Sequence, residues 1–189
     1  KEWYVAEISS FQLDDIVEFR PDIAILTNIT EDHLDRYDRL STYAQTVGQL
    51  FRNQQVFDWA VIQAGAHAWL RGLNVPIPSK VITFSASTRR ADIYLDRGLI
   101  ISSLPNWTGP LFNMEQSALR GPHNAENVMA ALAVGHVLRL RLQDMISSLK
   151  KYRPGSHRLE TVAENGGVTY VNNSKAMNVD AVAQSIEAL

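Results

Sequence analysis

Short apolar runs alternate with amphipathic ones along the first half of the chain. Residues 3–8, Trp-Tyr-Val-Ala-Glu-Ile, read as a strand, followed by a Ser9-Ser10 turn and a short polar helix. Residues 23–27 follow Pro21 as a continuous apolar run, the pattern of a buried parallel strand. Ser41 is placed to cap a helix reaching about Gln54, in which Tyr43, Val47, Leu50 and Phe51 recur at helical spacing. A strand over 59–63, a short helix over 67–73 and a strand over 81–85 continue the alternation. The pattern predicts an α/β fold with a mostly parallel sheet flanked by helices.

The texture then changes. Residues 91–95 and 99–102 flank Asp96-Arg97-Gly98, which reads as the hairpin of a small antiparallel appendage. Gly121-Pro122 introduces a helix from His123 to about Leu138, and a second runs from about Gln143 to Tyr152. Arg153-Pro154-Gly155 is a breaker cluster and the expected domain boundary, giving domains of 1–154 and 155–189. Beyond it, 159–163 and 168–171 flank Asn165-Gly166-Gly167 as another hairpin, and a helix runs from Val179 to the end. A strand that starts at once and a last helix without a capping glycine suggest a piece of a longer chain.

Composition narrows the function. The 189 residues are 46% hydrophobic and 20% charged, as in a globular protein. With no cysteine, disulfide scaffolds, CxxC zinc sites and thiol nucleophiles are excluded. A net charge of -2 without a long basic run argues against nucleic acid as a partner. The most apolar stretch, 128–140, is broken by Gly135, His136 and Arg139 and is too short to insert in a membrane. The expected setting is the reducing cytoplasm.

Several polar clusters then stand out. Glu7 sits at the expected carboxyl end of the first strand, where open α/β sheets bind ligands. It could hold Mg²⁺ or simply face solvent or a salt bridge. The loop from Thr27 to Asp35 gathers Glu31, Asp32, His33 and Asp35 at the same expected edge. Asn124 and Asn127, at i and i+3, share a face in the first turn of their helix. Their amides suit a purine edge, while capping would account for one of the two. His157-Arg158 offers a guanidinium fork for phosphate, or is a charged linker. The run Asn172 to Asn178 joins a strand to a helix, with Lys175 as a point charge for an anion, or is a capped turn.

In this order the clusters resemble the Mur ligase family, and its D-glutamate-adding branch in particular. The pieces are Glu7-Ile8-Ser9-Ser10-Phe11-Gln12-Leu13, Leu26 to Tyr37, Gly121 to Asn127, His157-Arg158-Leu159-Glu160 and Asn172 to Asn178. Phe11-Gln12 is what points to that branch. The resemblance implies a P-loop NTPase-like central domain followed by the start of a C-terminal α/β ligase domain. It places a Gly-rich phosphate loop ahead of Lys1. It implies ATP and Mg²⁺, with UDP-N-acetylmuramoyl-L-alanine and D-glutamate as small-molecule substrates and a monomeric parent protein. ATP would phosphorylate the substrate carboxylate, and the amine of D-glutamate would displace phosphate from the acyl phosphate. By motif position, Glu7 and His33 match metal ligands, and Ser9 and Gln12 match the UDP-sugar side. Asn124, Asn127, His157, Arg158 and Asn173 match the ATP site. Lys175 and Met177 match the phosphoryl-transfer and D-glutamate sites, so Glu7, His33 and Lys175 form the implied catalytic set.

The chain departs from the pattern at four places. Val47 stands where the family carries a carbamylated lysine, and no lysine occurs between Lys1 and Lys80. Asn173 stands for an aspartate and Met177 for a threonine. Gln63-Ala64-Gly65-Ala66 replaces an Asn-Ala-Asp-Asp pattern. Two readings follow: a divergent working ligase, or a relative that keeps fold and nucleotide contacts without catalysis. A nucleotide-binding α/β module of unrelated chemistry is the remaining one. The 189-residue piece by itself is expected to be inactive, without its phosphate cradle.

Overall fold

The computed structural model describes residues 2–31 and 36–188, and they divide into two compact units, 1–82 and 83–189. The elements in chain order are α1 (Ser10–Asp14), β1 (Ile23–Leu26), α2 (Leu40–Gly48), β2 (Trp59–Gln63), α3 (Ala64–Gly72), β3 (Lys80–Ser85), β4 (Ile93–Asp96) and β5 (Leu99–Ser102). They continue with β6 (Gly109–Asn113), α4 (Pro122–Val137), α5 (Leu142–Lys151), β7 (Glu160–Asn165), β8 (Val168–Asn172) and α6 (Val179–Glu187). Six strands form one sheet in the order β1-β2-β3-β4-β5-β6, and β7 and β8 form a separate two-stranded sheet. β1 pairs with β2, and β3 with β4, in parallel; β4, β5 and β6 form an antiparallel meander. The expected α/β class stands. The expected appendage is the antiparallel end of the main sheet, and its third strand, β6, is not legible in sequence because Pro110 and Asn113 break its pattern.

In the first unit, β1 and β2 supply Ala24, Leu26, Ala60 and Ile62 to a core closed by Leu13, Ala44, Val47, Phe51, Ala66 and Leu70. Two buried polar groups brace it. Gln54 Nε2 donates to the carbonyls of Pro21 (3.1 Å) and Trp59 (2.9 Å), and its Oε1 accepts from Ser79 Oγ at 2.6 Å. All its polar atoms are thereby engaged, as burial demands. Asp58 accepts both arms of Arg20, at 2.7 and 2.8 Å, and the backbone N–H of Gln55 at 2.7 Å. The Arg20 guanidinium and that N–H hold the Asp58 carboxyl below its ordinary value of 3.8, against the opposing effect of burial. A lowered folded value means a contribution present above the unfolded value and lost as pH falls through the folded one. Asp58→Asn is therefore expected to cost about 2 kcal/mol at neutral pH, from an imperfectly satisfied buried cluster. Its deficit should begin to shrink below about pH 4, where the carboxyl of the unfolded chain protonates, and go on shrinking until pH passes the lowered folded value. Urea melts of both chains at about pH 7 and about pH 3 check this; an undiminished deficit in acid would contradict it.

In the second unit, Phe84, Ile93, Ile100, Leu111, Phe112, Val128, Met129 and Leu132 are buried, and α4 packs on β4 and α5. α4 starts with Pro122 at a position where its missing N–H costs nothing. It ends in a Schellman motif: Leu140 N–H reaches the Gly135 carbonyl and Arg139 N–H that of His136, with Arg139 at φ 58°. α3 closes in the same way on Asn74, at φ 55°.

Four local expectations are corrected. Residues 3–8 form no strand: their backbone groups find no ladder partner among the described residues, and Val5 is 98% exposed. An apolar run becomes a strand only when a neighbour pairs with it. β1 is not buried on both faces; its burial alternates, and Ile25 is 41% exposed. Ser41 does not cap α2. The helix is entered two residues earlier, from Arg39, without a side-chain cap, and ends at Gly48 in a single 3₁₀ turn instead of running to Gln54. α3 starts at Ala64, three residues before the expected 67, because Gln63 Oε1 accepts the N–H of Ala66 at 2.9 Å and caps it.

Candidate active site

In the unit of residues 1–82, Glu7 lies exposed on the segment ahead of α1. Ser9 and Gln12 are brought together. Ser9 Oγ accepts the Gln12 N–H at 3.3 Å, and Gln12 Oε1 accepts the Ser9 N–H at 2.9 Å. This reciprocal capping box explains why five residues suffice for a helix here. Both side chains are exposed, so they can also meet a ligand.

Val47 lies on the inward side of α2, only 8% exposed, in the core formed by Leu13, Leu26 and Phe51 among others. His33 lies outside the described residues. Valine carbon coordinates no cation, and Glu7 is a lone exposed carboxylate. No group of three His, Cys, Asp or Glu side chains capable of holding a metal gathers among the described residues. Those residues therefore do not fit a divalent-cation site by themselves.

In the unit of residues 83–189, α4 opens on Gly121 at φ 84° and ψ 160°. Asn124 Nδ2 donates to the Arg120 carbonyl at 2.7 Å, so this amide secures the entry to the helix. Asn127 is exposed one turn on. Between them and α6, His123 has its Nδ1 buried without a hydrogen-bond partner among the described residues. Burial lowers its pKa below the usual 6.5, although Glu126, Asp180 and Glu187 pull the other way.

The residues around the β8 exit form one cluster. Asn172 Nδ2 lies 2.8 Å from His157 Nδ1, and the Glu160 carboxylate accepts the His157 N–H at 2.8 Å. Lys175 N–H donates to the His157 carbonyl at 3.2 Å. Asn173 Oδ1 accepts the Leu159 N–H at 3.2 Å, and its Nδ2 donates to Ser185 Oγ at 2.6 Å. His157 sits at φ 68°, a conformation that non-glycine residues rarely adopt, held here by these bonds. The structure thus joins His157, Asn173 and Lys175, although His157 is remote from the other two in sequence. Arg158 and Lys175 are exposed, and Met177 is 87% exposed. Asn178 is the N-cap of α6 through the Ala181 N–H at 2.8 Å, and Asn172 Oδ1 accepts from the Ser174 N–H at 3.0 Å. Turn and cap therefore account for two of the asparagines in this run.

The family profile of the Mur ligase middle domain matches residues 1–135. The chain belongs to the Mur ligase family.

The UDP-N-acetylmuramoylalanine–D-glutamate ligase of Christiangramia forsetii is 39% identical over 195 residues, covering 100% of this chain and 43% of that protein. The ligase of the same name from Pelotomaculum thermopropionicum is 35% identical, covering 97% of this chain and 40% of that protein. This Mur ligase chain therefore spans about two fifths of the length of the curated relatives it matches. Among solved structures, a MurF ligase from Thermotoga maritima in complex with ADP aligns with a TM-score of 0.65 at 20% identity, over 90% of this chain and 39% of that one. That likeness carries the fold.

Sequence reasoning missed four residues that shape the first unit's polar edge: Asp14, Arg36, Tyr37 and Thr46. Asp14 accepts from the other three. Arg36 and Tyr37 lie within a recognised motif, but nothing in sequence spacing links them to Asp14 or Thr46, because the association is tertiary.

Proposed function

We propose that the protein to which this chain belongs is an ATP-dependent ligase. It would add D-glutamate to UDP-N-acetylmuramoyl-L-alanine in peptidoglycan precursor synthesis. The observation that carries the reading is the match of nearly the whole chain, at 35–39% identity, to relatives bearing that name. In this reading a carboxylate oxygen of the UDP-sugar substrate attacks the γ-phosphorus of ATP and ADP leaves. The D-glutamate amine then attacks the acyl carbon, and inorganic phosphate departs as the C–O bond breaks. Lys175 is the point charge for a transferring phosphoryl group, and His157 and Asn173 shape the loop that presents it. Asn124, Asn127 and Arg158 serve the nucleotide, Ser9 and Gln12 the UDP-sugar, and Met177 borders the amino acid. Glu7 and His33 are the candidates for contact with the Mg²⁺ that accompanies ATP. The reading includes a boundary between ligase domains at 154/155, where Pro154 follows α5, and a monomeric cytoplasmic protein. No described helix is long and apolar enough to cross a membrane.

The test is phosphate release by the full-length protein with Mg²⁺-ATP. Release that requires both UDP-N-acetylmuramoyl-L-alanine and D-glutamate is the expected result. Release with another amino acid, or with none, would overturn the assignment. The buried Val47 favours one second reading, a relative that binds nucleotide without turnover. ATP binding without release under any of these conditions would be its signature.

A further inference from the structure

Three segments of the first unit meet at one carboxylate. Asp14 closes α1, five residues after Ser9 opens it as N-cap. Its Oδ2 accepts from Arg36 Nη2 at 3.0 Å, Arg36 Nε at 3.3 Å and the Tyr37 hydroxyl at 3.1 Å. Its Oδ1 accepts from Thr46 Oγ1, on α2, at 3.1 Å. The ring of Phe11 adds a second layer: the Arg36 guanidinium lies 5.1 Å above it, and the Tyr37 ring stacks on it at 6.4 Å. Tyr37 is buried and packs on Tyr43 of α2 at 5.5 Å. The Arg36 side chain, with smaller help from Thr46 and Tyr37, keeps the Asp14 carboxyl below its usual range. Four donor contacts from three side chains thus converge on the two oxygens of this carboxylate. Asp14 is committed to protein donors from the loop and from α2.

We propose that Asp14 is a positioning residue, which locks the C-terminal end of the Thr27–Tyr37 loop and the middle of α2 against the helix that carries Ser9 and Gln12. The proposal rests on the ligase reading above. That reading puts the loop's His33 on the Mg²⁺ that accompanies ATP and the Ser9–Gln12 pair on the UDP-sugar. Asp14 then acts on turnover through other residues, by fixing where they stand. Displacements of about 1 Å at such distances from the chemistry can cost about 10²-fold in rate.

Asp14→Asn in the full-length protein is the probe. Asparagine keeps the size and an acceptor for Thr46, but removes the charge and turns an N–H₂ or a neutral oxygen toward Arg36. Two readouts are made together: steady-state phosphate release, and amide hydrogen exchange. The expected result is a fall in kcat of about 10-fold or more with the KM for ATP changed by less than about 2-fold. With it, exchange should quicken in peptides spanning 36–46 while peptides from β2 keep their protection. Thr46→Val, which removes one bond without introducing a donor, should give the same pattern at smaller amplitude. Unchanged kcat and unchanged exchange would overturn the proposal. So would faster exchange through the whole unit with activity lost only in proportion to unfolded protein, since Asp14 would then be an ordinary stabilising group. If the unsubstituted protein releases no phosphate with D-glutamate, the ligase reading fails. The local exchange pattern in both variants still decides whether Asp14 locks the loop.

Discussion

Val47→Lys should fail to restore a family-like site and should destabilise the chain by about 4 kcal/mol. The position is 8% exposed and enclosed by Leu13, Leu26, Phe51 and their neighbours. Buried lysines without partners have pKa values depressed by about 3–5 units, and each unit corresponds to about 1.4 kcal/mol. Asp14 reaches this part of α2 through its bond to Thr46, but it is already engaged by Arg36. Urea denaturation at about pH 7 and about pH 5 checks the expectation. With the folded-state pKa lowered, the deficit should be large at neutral pH and larger still where solvent favours the ammonium, flattening once pH falls below the folded value. A variant as stable as the parent chain, with bicarbonate-dependent turnover in the full-length protein, would show that the side chain escapes the core. The apolar neighbours at this position are fitted to valine.

Gly121→Ala should cost about 3 kcal/mol, the second large effect. At φ 84° and ψ 160° the residue occupies a region open essentially to glycine alone, where a side chain costs about 1–3 kcal/mol. A Cβ would also fall 2.7 Å from the Cβ of Ala188 and 3.0 Å from the His123 ring. Neither neighbour is the end of a long flexible chain, so the helix entry or α6 must shift, adding about 1–3 kcal/mol. The same shift would disturb the Asn124 bond to Arg120. The expected readout is a lower Tm and, in the full-length protein, a higher KM for ATP. A variant with unchanged Tm would contradict the strain argument. Gly135→Ala tests the packing of α4 on α5 in the same way, since its Cβ would fall on the Met145 sulfur. Met145 can swing aside more easily, so the expected loss there is smaller, about 1–2 kcal/mol.

The elements that sequence reading placed well are those whose signal is local. The run at 59–63, the Gly121-Pro122 helix start and the Asn165-Gly166-Gly167 turn all appear where expected, because periodicity, proline geometry and glycine freedom act within a few residues. The strand expected at 3–8 failed because strand formation is a property of two segments, and its apolar pattern says nothing of a partner. The α2 start slipped by two residues because tertiary packing of Ala44, Val47 and Phe51 fixes the helix without a cap. At the site, motif order identified the family and the residues to inspect. It did not reveal that Asn173 bridges Leu159 and Ser185, or that Asp14 gathers Arg36, Tyr37 and Thr46, since those bonds join residues up to 32 positions apart.

The capping box at the start of α1 has a practical consequence for any attempt to alter what this edge of the protein binds. The proposed function gives Ser9 and Gln12 to the UDP-sugar, and they are also each other's hydrogen-bond partners at the helix entry. A library randomised at these two codons would vary recognition and folding together, and most of its silent members would be unfolded at this turn. Paired substitutions that preserve reciprocity, such as Ser9→Thr combined with Gln12→Glu, keep the backbone donors satisfied while altering charge toward the ligand. Selection would therefore move through correlated double changes at these sites, and single-position scans would understate how adaptable this edge of the protein is.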